Sequence, residues 1–545
     1  MNLIDYDHNF FGRQAVLEIL RKRILGLKEG YRQNVALVGS RTIGKSAIVR
    51  KLMDEHTDNA VIIVYLDLES RDFSYLCLQF TKSLLYHFLK SRELPLQEDL
   101  KLLCLCARPL IPQTVSAIEQ IDAFQGAGKI TDAYAALLAL PDVFHAETNK
   151  SLVLIFDEFQ NLNNLDVPDA FAQLGMRIMT QKHCLYIVTS SYQAQATAIL
   201  SEKLSLLFGN FEMLPVSPFD LNASQQLIER HLSGIKIGMQ LRNFLADFTG
   251  GHPLYINILC QELICLSGVF KQEEVYAPIV TQGLENLLFN PWGVLSRHFE
   301  LIIHELTKGK LEGPTTQILI ALAQGKHRIA DLAGYLPLKQ SQIVQRVNAL
   351  MAAEIIEKNG NYYHIKDKLF KYWIKYVYER RLRAIDLETG KSRKAFKEEI
   401  NKAINDFQGI VRRDLATRMV DLFNKFDNES FDLAGRRYRL SSFKEIQPLK
   451  LRLGAGNFID AINAQGEDGQ WIIVLKKDPV HDNDLHMFLE EIRKISPRPA
   501  RAVIVSLSGL DDNAKIRALQ EKLWVWNELE INTLMHLYDE PYITR

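Results

Sequence analysis

The residues best suited to chemistry stand together in one short segment of the chain, Gly39-Ser40-Arg41-Thr42-Ile43-Gly44-Lys45-Ser46. Its two glycines allow a tight backbone turn in which successive N–H groups face an anion. An apolar run precedes the segment at 34–38 and helical spacing follows it from Ala47, which is the strand–loop–helix context of a phosphate-binding loop. The segment therefore predicts a site for ATP and Mg²⁺ over residues 39–47, where Lys45 reaches the β- and γ-phosphates and the Ser46 hydroxyl ligates the metal. A chance match in a glycine-containing loop is the alternative.

An acidic pair, Asp157 and Glu158, directly follows a second apolar run at 151–156. A carboxylate at the end of a strand can hold Mg²⁺, and a second carboxylate beside it can polarise an attacking water. We assign the metal role to Asp157 and a catalytic role, together with Lys45, to Glu158. The alternative is a strand that ends in a solvated acidic pair, and the phosphate-binding loop disfavours it because each motif needs the other.

Alternating strands and helices must position these groups. The runs 61–68 and 184–189 are further strand signals. Adjacent carboxylates such as Asp157 and Glu158 indicate the P-loop branch that inserts a strand between the strand before the loop and the strand before the acidic pair, and the run 184–189 fits that position. Thr189 or Ser190 at its tip would face the γ-phosphate, although a hydroxyl at a strand end commonly caps a turn. We predict an α/β fold of the P-loop NTPase kind, with a doubly wound parallel sheet that binds nucleotide at the carboxyl ends of its strands.

Two further motifs carry a resemblance to known ATPases. Phe10-Phe11-Gly12-Arg13, with Glu18 and Leu20, resembles the N-terminal F-x-G-R motif of AAA-type ATPases, and Gly250-Gly251-His252-Pro253 resembles the G-x-P lid motif of STAND ATPases. The resemblance implies that Phe11, Gly12, Arg13 and Pro253 contact the nucleotide. The whole arrangement is similar to the archaeal-type ATPase family, which implies a helical lid, a winged helix and a nuclease-like C-terminal domain after the core.

One position departs from that family. An arginine usually follows a glycine shortly before the fifth core strand, whereas the stretch Leu207-Phe208-Gly209-Asn210-Phe211 places Asn210 there. An arginine would complement charge that develops on the γ-phosphate. We therefore expect slow intrinsic hydrolysis, or an arginine supplied from elsewhere, with Arg41 and Arg177 as candidates. Either arginine can equally be a surface or ion-pairing residue.

Short helices followed by a hairpin predict a winged-helix domain after Pro314. Helices are indicated at 315–323, 329–335 and 339–353, and the hairpin 355–365 turns at Asn359-Gly360. The element Asp367-Lys368-Leu369-Phe370-Lys371-Tyr372-Trp373 resembles the one that closes this domain in the family. Winged helices often read DNA with their third helix, whose exposed candidates are Lys339, Gln342, Gln345 and Arg346. Residues 366–383 add seven Lys/Arg against two Asp/Glu. The alternative is an intramolecular packing module.

The C-terminal region is predicted to be a small α/β domain. Residues 384–393 are polar and indicate a linker, a long helical pattern spans 396–426, and strands are indicated at 431–440, 457–463, 470–475 and 502–506. Asp460 and Lys476 resemble the core of PD-(D/E)xK nucleases, but the intervening metal-binding position is Val474, which cannot ligate an ion. Asp414 is a candidate replacement acid. We expect an inactive restriction-endonuclease-like domain.

The whole chain sets the remaining bounds. Its 545 residues are 47% hydrophobic and 24% charged, with 65 acidic and 65 basic residues, so global charge argues neither for nor against a nucleic-acid partner. Six scattered cysteines without a CxxC pair are typical of reduced core residues. Because no signal pattern or uncharged membrane-length run is seen, we expect a cytoplasmic protein without membrane contact.

These patterns divide the chain into an ATPase core (1–220), a helical lid (221–310), a winged helix (311–383) and a C-terminal domain (394–545). The favoured function is an ATP-hydrolysing AAA/STAND-like switch that couples nucleotide state to the winged helix. The alternative is a DNA-binding protein of initiator, mobile-element or defence type with a regulatory ATPase, and an active nuclease is the least favoured hypothesis. ATP is the expected ligand, and DNA through the winged helix and either a protein partner or a second copy of the chain are the alternatives left open as partners.

Overall fold

The protein is described here by a computed structural model that covers residues 10–68, 72–204, 210–308, 313–383, 390–433, 436–453 and 457–543. The chain divides into two compact units, Met1–Pro218 and Phe219–Arg545. The boundary at Pro218 lies beside the predicted end of the ATPase core at residue 220, and the finer division into four domains stays a prediction. The predicted stretch 207–209 and the linker residues 384–389 lie outside the described residues.

A five-stranded parallel sheet forms the centre of the first unit. Its strands are β1 (Asn34–Val38), β2 (Val61–Asp67), β3 (Ser151–Asp157), β4 (Cys184–Ser190) and β5 (Phe211–Pro215), in the spatial order β2-β3-β4-β1-β5. The inner strands are buried along almost their whole length, which explains their continuous apolar sequence. Since β4 lies between β1 and β3, the predicted extra strand and the predicted α/β class are both confirmed.

Helices cover both faces of this sheet. They are α1 (Gln14–Lys28), α2 (Lys45–Glu55), α3 (Phe73–Lys90), α4 (Leu100–Ala107), α5 (Pro112–Gly126), α6 (Ile130–Thr148), α7 (Ala170–Thr180) and α8 (Gln193–Ala198), with a 3-10 turn at Phe159–Asn164. Helices α1 and α2 pack on one face, and α3 to α7 pack on the other. The long stretch between β2 and β3 thus supplies most of the second layer.

The second unit begins with a helical region. Its elements are α9 (Leu221–His231), β6 (Lys236–Ile237), α10 (Met239–Phe248), α11 (Pro253–Phe270), β7 (Glu274–Val275), α12 (Ala277–Leu284) and α13 (Val294–Thr307). Among the described residues, α11 alone is long and apolar enough to cross a membrane by length and composition. One side of α11, including Ile256, Leu259 and Leu263, is buried within the unit, a property that core helices share. The expectation of no membrane contact therefore stays a prediction.

Three helices and a hairpin follow, as the sequence predicts. They are α14 (Pro314–Ala323), α15 (Ile329–Tyr335), α16 (Gln340–Ala352), β8 (Ile356–Asn359) and β9 (Tyr362–Ile365), and the closing elements are α17 (Lys368–Trp373) and α18 (Glu379–Arg383). Lys339, Gln342, Gln345 and Arg346 are exposed on or just before α16.

The tip of the hairpin is packed against the strand β10 (Ser430–Leu433). The Asn359 side chain accepts from the Asp432 N–H at 2.7 Å and donates to the Asp432 carbonyl at 3.1 Å. A Cβ at Gly360 would lie 1.7 Å from the Ser430 carbonyl oxygen. The β8–β9 hairpin, which forms the wing of the winged-helix elements, therefore packs against another part of the same unit.

The basic run at 366–383 is partly used in ion pairs, and its contribution to phosphate contacts stays a prediction. Four of its seven cations have acidic partners, which are Lys366 with Glu354, Lys368 with Asp247, Lys371 with Asp539 and Arg381 with Glu300. Sequence counting missed this because the partners are distant in the chain.

The C-terminal elements form a mixed sheet with helices. The helices are α19 (Gly390–Val411), α20 (Leu415–Phe423), α21 (Asp482–Lys494), α22 (Asp512–Gln520) and α23 (Glu528–Leu537). Strands β10 and β11 (Arg436–Arg439) form a hairpin, and β12 (Phe443–Leu453), β13 (Asn457–Gly466), β14 (Gly469–Lys476), β15 (Arg501–Ser506) and β16 (Trp524–Trp526) form one sheet in that order. The first three are antiparallel and the last three parallel.

Two sequence expectations in this region are wrong in detail, and one edge strand was not predicted. The single long helix is broken before α20, because Asp414 caps that helix by accepting from the Thr417 N–H at 2.6 Å. The predicted strand 431–440 is the β10–β11 hairpin. Strand β12 escaped detection because it alternates charged residues and contains Pro448, which an edge strand tolerates.

The nuclease-like pair is not assembled. Ala461 pairs with Val474, so Asp460 lies opposite Leu475 and shares its face of the sheet, while Lys476 points to the other face. Lys476 instead forms an ion pair of 2.5 Å with Asp484. Val474 is fully buried. The expectation of an inactive domain stays a prediction.

The cysteines are all free, but they are not all core residues. Cys77, Cys184 and Cys260 are buried, whereas Cys106 and Cys265 are exposed. Helical spacing places those two on the outer sides of α4 and α11.

Candidate functional site

The phosphate-binding loop connects β1 to α2 at the carboxyl edge of the first sheet. Gly44 has φ +103°, a backbone conformation that a side chain would strain. Gly39 is needed for a different reason, since a Cβ there would lie 2.3 Å from the Val216 carbonyl oxygen. Because α2 begins at Lys45, its first N–H groups lack helical partners and face the loop. This geometry suits a bound phosphate.

Lys45 is the buried cation of the loop, with 4% of its surface exposed. Its ammonium donates to the carbonyls of Gly39 at 2.8 Å and Ser40 at 3.1 Å and to the Ser191 hydroxyl at 2.9 Å. The Glu158 carboxylate lies 3.8 Å away. The predicted catalytic pair, Lys45 and Glu158, is therefore brought together.

The Asp157 carboxylate at the end of β3 accepts hydrogen bonds from three hydroxyl groups. Ser46 donates to Oδ2 at 2.9 Å, Tyr65 donates to the same oxygen at 2.5 Å, and Thr189 donates to Oδ1. Burial, and then the Asp157 carboxylate, raise the pKa of Tyr65 well above its ordinary value, so its hydroxyl stays a donor. Ser46 and Asp157 bring a hydroxyl and a carboxylate together, which are the hard oxygen ligands that Mg²⁺ prefers.

Glu158 is oriented by three hydrogen bonds. Its carboxylate accepts from the Ser191 backbone N–H at 3.0 Å, from the Ser191 hydroxyl, and from the Gln160 amide at 2.6 Å. Its backbone has φ 54°, and its N–H donates to the Thr189 hydroxyl at 3.1 Å. The acid is thus held in one orientation beside Lys45.

Thr189 and Ser190, which end β4, and Ser191, which follows it, are placed differently in the site. Thr189, the predicted sensor, is fully buried between Asp157 and the Glu158 N–H. The Ser190 hydroxyl only closes a local turn with the Tyr192 N–H and carbonyl, at 3.1 and 3.2 Å. Ser191, one residue further, contacts both Lys45 and Glu158 and is the hydroxyl placed at the reacting end of the site.

The N-terminal motif lies close to the same loop. Arg13 donates to the Ser217 carbonyl at 2.5 Å, and Val216 beside it bonds to the Val38 carbonyl at 2.7 Å. Burial lowers the pKa of the Arg13 guanidinium. Gly12 and Arg13 both have φ 65°, and Phe11 precedes them half-buried. The motif therefore fixes the segment that borders Gly39.

The remaining loop residues and the lid motif are placed as follows. Ser40, Arg41 and Thr42 are exposed, Ile43 is buried, and Ala47 is half-buried on α2. Pro253 belongs to the second unit, where it begins α11 after the left-handed residues Gly250 and Gly251. A Cβ at Gly251 would lie 2.0 Å from the Phe219 carbonyl oxygen. The nucleotide contact implied for Pro253 stays a prediction.

Of the two arginine candidates, only Arg41 is near the site. Its guanidinium lies 5.6 Å from the ring centroid of Tyr192, the residue after Ser191. Arg177 instead pairs at 3.7 Å with Asp142, which also lies 3.3 Å from His183, just before β4 begins, so it is not placed at the phosphate-binding loop of its own chain. The start of β4 is at the amino edge of the sheet, roughly 20 Å from the loop at about 3.3 Å per residue.

Asn210 also lies at the amino edge. Its carbonyl accepts from the N–H of Asn34, the first residue of β1, at 3.1 Å. The five residues of β1 separate it from the phosphate-binding loop, roughly 16 Å at about 3.3 Å per residue. An arginine at this position could not reach a phosphate of the same chain, and the expected slow hydrolysis stays a prediction.

Tyr65, Gln160 and Ser191 are site residues that sequence reasoning missed. Tyr65 lies within the predicted strand 61–68 and looks like any buried aromatic residue. Gln160 and Ser191 stand two positions after Glu158 and Thr189, where loops rather than strands direct the side chains. Only the parallel pairing of β2, β3 and β4 at one edge could indicate them.

Comparison with known proteins agrees with this geometry. Residues 9–186 match the family described as AAA ATPase domain. That segment is therefore a P-loop ATPase domain of the AAA kind, and it makes up about a third of the chain. An uncharacterised protein of Methanocaldococcus jannaschii is 23% identical over 401 residues, which cover 68% of this chain and 76% of that protein.

Solved structures give weaker likenesses. The Walker-type ATPase PABY2304 of Pyrococcus abyssi is 17% identical with a TM-score of 0.46, covering 67% of this chain and 96% of its own. The ORC2 protein of Aeropyrum pernix is 13% identical with a TM-score of 0.43, covering 70% and 98%. Scores at this level carry no argument about function.

Proposed function

We propose that this protein binds ATP with Mg²⁺ and hydrolyses it, and that the nucleotide state acts as a switch. The observation that supports the proposal is that two dipeptides, Lys45-Ser46 and Asp157-Glu158, meet in the fold. The two dipeptides lie more than a hundred residues apart in the sequence. The hydroxyl of Ser46 meets Asp157 at 2.9 Å and the ammonium of Lys45 meets Glu158 at 3.8 Å. A phosphate-binding loop needs both pairs to hydrolyse as well as bind.

Each pair has its own role in the reaction. Ser46 and Asp157 would hold Mg²⁺, which when bound neutralises charge on the phosphates. Lys45 would contact the β- and γ-phosphates. Glu158, held by Ser191 and Gln160, would orient a water molecule and accept its proton during in-line attack on the γ-phosphate.

The partners of Lys45 support a switch. Its ammonium is bonded to two loop carbonyls and to Ser191, and it is close to Glu158. A γ-phosphate would compete for this ammonium, which would leave Ser191 and Glu158 bound to each other and to the water. Arrival and loss of the phosphate would thus rearrange the segment after β4.

Substitution of Lys45 tests nucleotide binding. Lys45→Ala should weaken binding of a fluorescent ATP analogue at least tenfold, because the buried cation is lost. Lys51→Ala is the matched control, since Lys51 lies on the same helix and pairs with Glu55 at 3.5 Å. Unchanged binding in Lys45→Ala would reject the proposed site.

Substitution of Glu158 separates binding from hydrolysis. Glu158→Gln preserves the shape of the side chain but removes its basicity, so ATP should still bind while phosphate release falls about 10²–10⁴-fold. Equal turnover in the variant and the parent would remove Glu158 from the reaction. Turnover measured over a range of protein concentrations would show whether a second copy supplies an activating group.

DNA binding is the second candidate function, and the exposed third helix of the winged-helix elements favours it. Lys339, Gln342, Gln345 and Arg346 are exposed there, while the wing and much of the basic run are occupied within the chain. We expect weak duplex binding at most. Fluorescence anisotropy over rising salt, with the pair Lys339→Ala and Arg346→Ala, tests it, because each lost phosphate contact reduces the salt slope by about one.

A further inference from the structure

Helix α3 carries a second stripe of side chains besides the one that packs in the core. Phe73, Leu76, Phe80 and Leu84 belong to the buried stripe. The other stripe follows the same spacing of three and four residues and contains Tyr75, Leu78, Gln79, Lys82, Ser83, Tyr86 and His87. Ring-bearing and polar side chains, with one leucine, thus share one accessible side of the helix.

This second stripe borders a cavity of about 490 Å³ within the first unit. Met53 of α2, Tyr65 of β2, Leu103 of α4 and the residues Gln97 and Glu98 complete its wall. We call it the α3 cavity. Its size falls in the range of about 300–1,000 Å³ that is typical of small-molecule sites.

The wall of the α3 cavity indicates what it could bind. Three tyrosine rings and the His87 ring offer stacking surfaces, while burial lowers the pKa of His87 and keeps that ring uncharged near neutral pH. Lys82, Ser83, Gln97 and Glu98 make no hydrogen bond or ion pair with any other described side chain. The charges of Lys82 and Glu98 cancel, so the wall has no net charge. It therefore suits an uncharged planar ring system with polar edges.

The α3 cavity also touches the candidate ATP site through one residue. The Tyr65 ring forms part of its wall, and the Tyr65 hydroxyl donates to Asp157 Oδ2 at 2.5 Å. The same oxygen accepts from Ser46. A molecule stacked on Tyr65 can therefore move the hydroxyl relative to the carboxylate that would hold Mg²⁺.

We propose that the α3 cavity binds an uncharged heteroaromatic molecule of nucleobase or nucleoside size, and that Tyr65 transmits its presence to Asp157. Stacking on the tyrosines supplies affinity, and the Gln97 amide together with the Gln79 NH2 group matches the polar edge of such a ring, while the Gln79 carbonyl accepts from the Asp67 N–H at 3.1 Å. The transmission through Tyr65 rests on the proposed function, because its expected effect is a change in the Mg²⁺ requirement of ATP turnover.

The binding step is tested without any ATPase measurement. The probe is 2-aminopurine riboside, whose fluorescence is quenched by stacking, added to the full chain with saturating ADP and Mg²⁺ to fill the phosphate-binding site. We expect saturable quenching by one probe per chain. Ser83→Phe, which fills the α3 cavity, should weaken it at least tenfold, and Tyr86→Ala, which removes a stacking ring, should weaken it about three- to tenfold.

Ser116→Phe is the matched control, because it makes the same change at an exposed position of α5 in the same unit. Thermal unfolding must show that the variants are folded. If Ser83→Phe does not fold, Tyr86→Ala provides the test instead. Absent quenching, or equal quenching in the parent, Ser83→Phe and Tyr86→Ala, would overturn the proposed site.

The transmission step is tested with Tyr65→Phe. This variant keeps the ring, so the affinity for the probe should stay within about twofold. In the parent, saturating probe should change the Mg²⁺ concentration for half-maximal ATP turnover at least threefold, and in Tyr65→Phe this change should vanish. A parent whose Mg²⁺ requirement is unmoved by the probe would refute transmission, whereas a parent that binds the probe but never hydrolyses ATP would refute the proposed function and leave the cavity established.

Discussion

Replacing Ser191 with alanine should slow ATP turnover while leaving nucleotide binding almost intact. The Ser191 hydroxyl donates to Glu158 and accepts from Lys45 at 2.9 Å, so it connects the general base to the phosphate-binding cation. Alanine removes this bridge. Glu158 keeps the Ser191 backbone N–H and the Gln160 amide, and Lys45 keeps the Gly39 and Ser40 carbonyls. The site should therefore stay assembled but lose part of its orientation.

The size of the effect follows from the charge of the lost partner. A hydrogen bond to a charged group contributes about 1.5–3 kcal/mol. Each 1.36 kcal/mol of barrier changes a rate about tenfold, so kcat should fall about 10- to 150-fold if the whole contribution is felt in the transition state. The dissociation constant for ATP should change less than about threefold, because Ser191 is not a residue of the phosphate-binding loop.

The assay is steady-state phosphate release, paired with equilibrium binding of a fluorescent ATP analogue. Ser190→Ala is the matched control, since it removes the same atom one residue earlier, where the hydroxyl only closes a turn with Tyr192. A fall of less than twofold in Ser191→Ala, or an equal fall in Ser190→Ala, would refute the assigned role of Ser191.

Three further predictions concern backbone fit and acid sensitivity. Gly39→Ala should weaken binding of an ATP analogue more than tenfold, because its Cβ would lie 2.3 Å from the Val216 carbonyl oxygen and must displace the loop by about 1 Å. Gly360→Ala should detach the wing from Ser430 and lower the unfolding midpoint of the second unit, which tryptophan fluorescence reports because all five tryptophans lie in that unit. Burial lowers the pKa of His364 from 6.5 to about 2, so the unfolded chain takes up a proton below pH 6.5 that the folded chain does not. The free energy of unfolding should therefore decrease as pH falls below 6.5, by about 1.4 kcal/mol at pH 5.5. Urea unfolding of His364→Gln should lack this decrease.

Matched variants check these three predictions. Gly126→Ala has nothing within 4 Å of the added Cβ and should leave nucleotide binding unchanged. Gly325→Ala shares a left-handed backbone with Gly360 but meets nothing closer than 4.0 Å, so it should destabilise the second unit less. His486→Gln alters an exposed histidine, and its stability should keep the parent's dependence on pH. If any control matched its test variant, the corresponding contact would not be the cause.

Several parts of the fold could be predicted because local sequence carries them. The buried strands β1, β3 and β4 are continuous apolar runs, and the winged-helix elements have helical spacing and a turn at Asn359-Gly360. The edge strand β12 was missed because its charged residues and Pro448 hide the pattern. The break before α20 was missed because a single cap, Asp414, decides it, and helical spacing continues on both sides.

The candidate site was predictable only where a motif fixes both residue type and spacing. Lys45, Ser46, Asp157 and Glu158 are of this kind. Arg177 and Asn210 both precede a strand, so they lie at the amino edge of the parallel sheet. A seven-residue strand places its two ends roughly 20 Å apart at about 3.3 Å per residue, a separation that the motif comparison did not take into account.

By itself, the sequence determined that a phosphate-binding loop and an acidic pair follow buried strands, because the conformational needs of glycine and the burial of apolar runs are local properties. Only the tertiary structure decided which hydroxyls complete the site. Ser191 rather than Thr189 bridges Lys45 and Glu158, and Tyr65 on a neighbouring strand holds Asp157. The physical reason is that parallel pairing brings three distant strand ends to one edge, and hydrogen bonds across that edge depend on register, which no local pattern encodes.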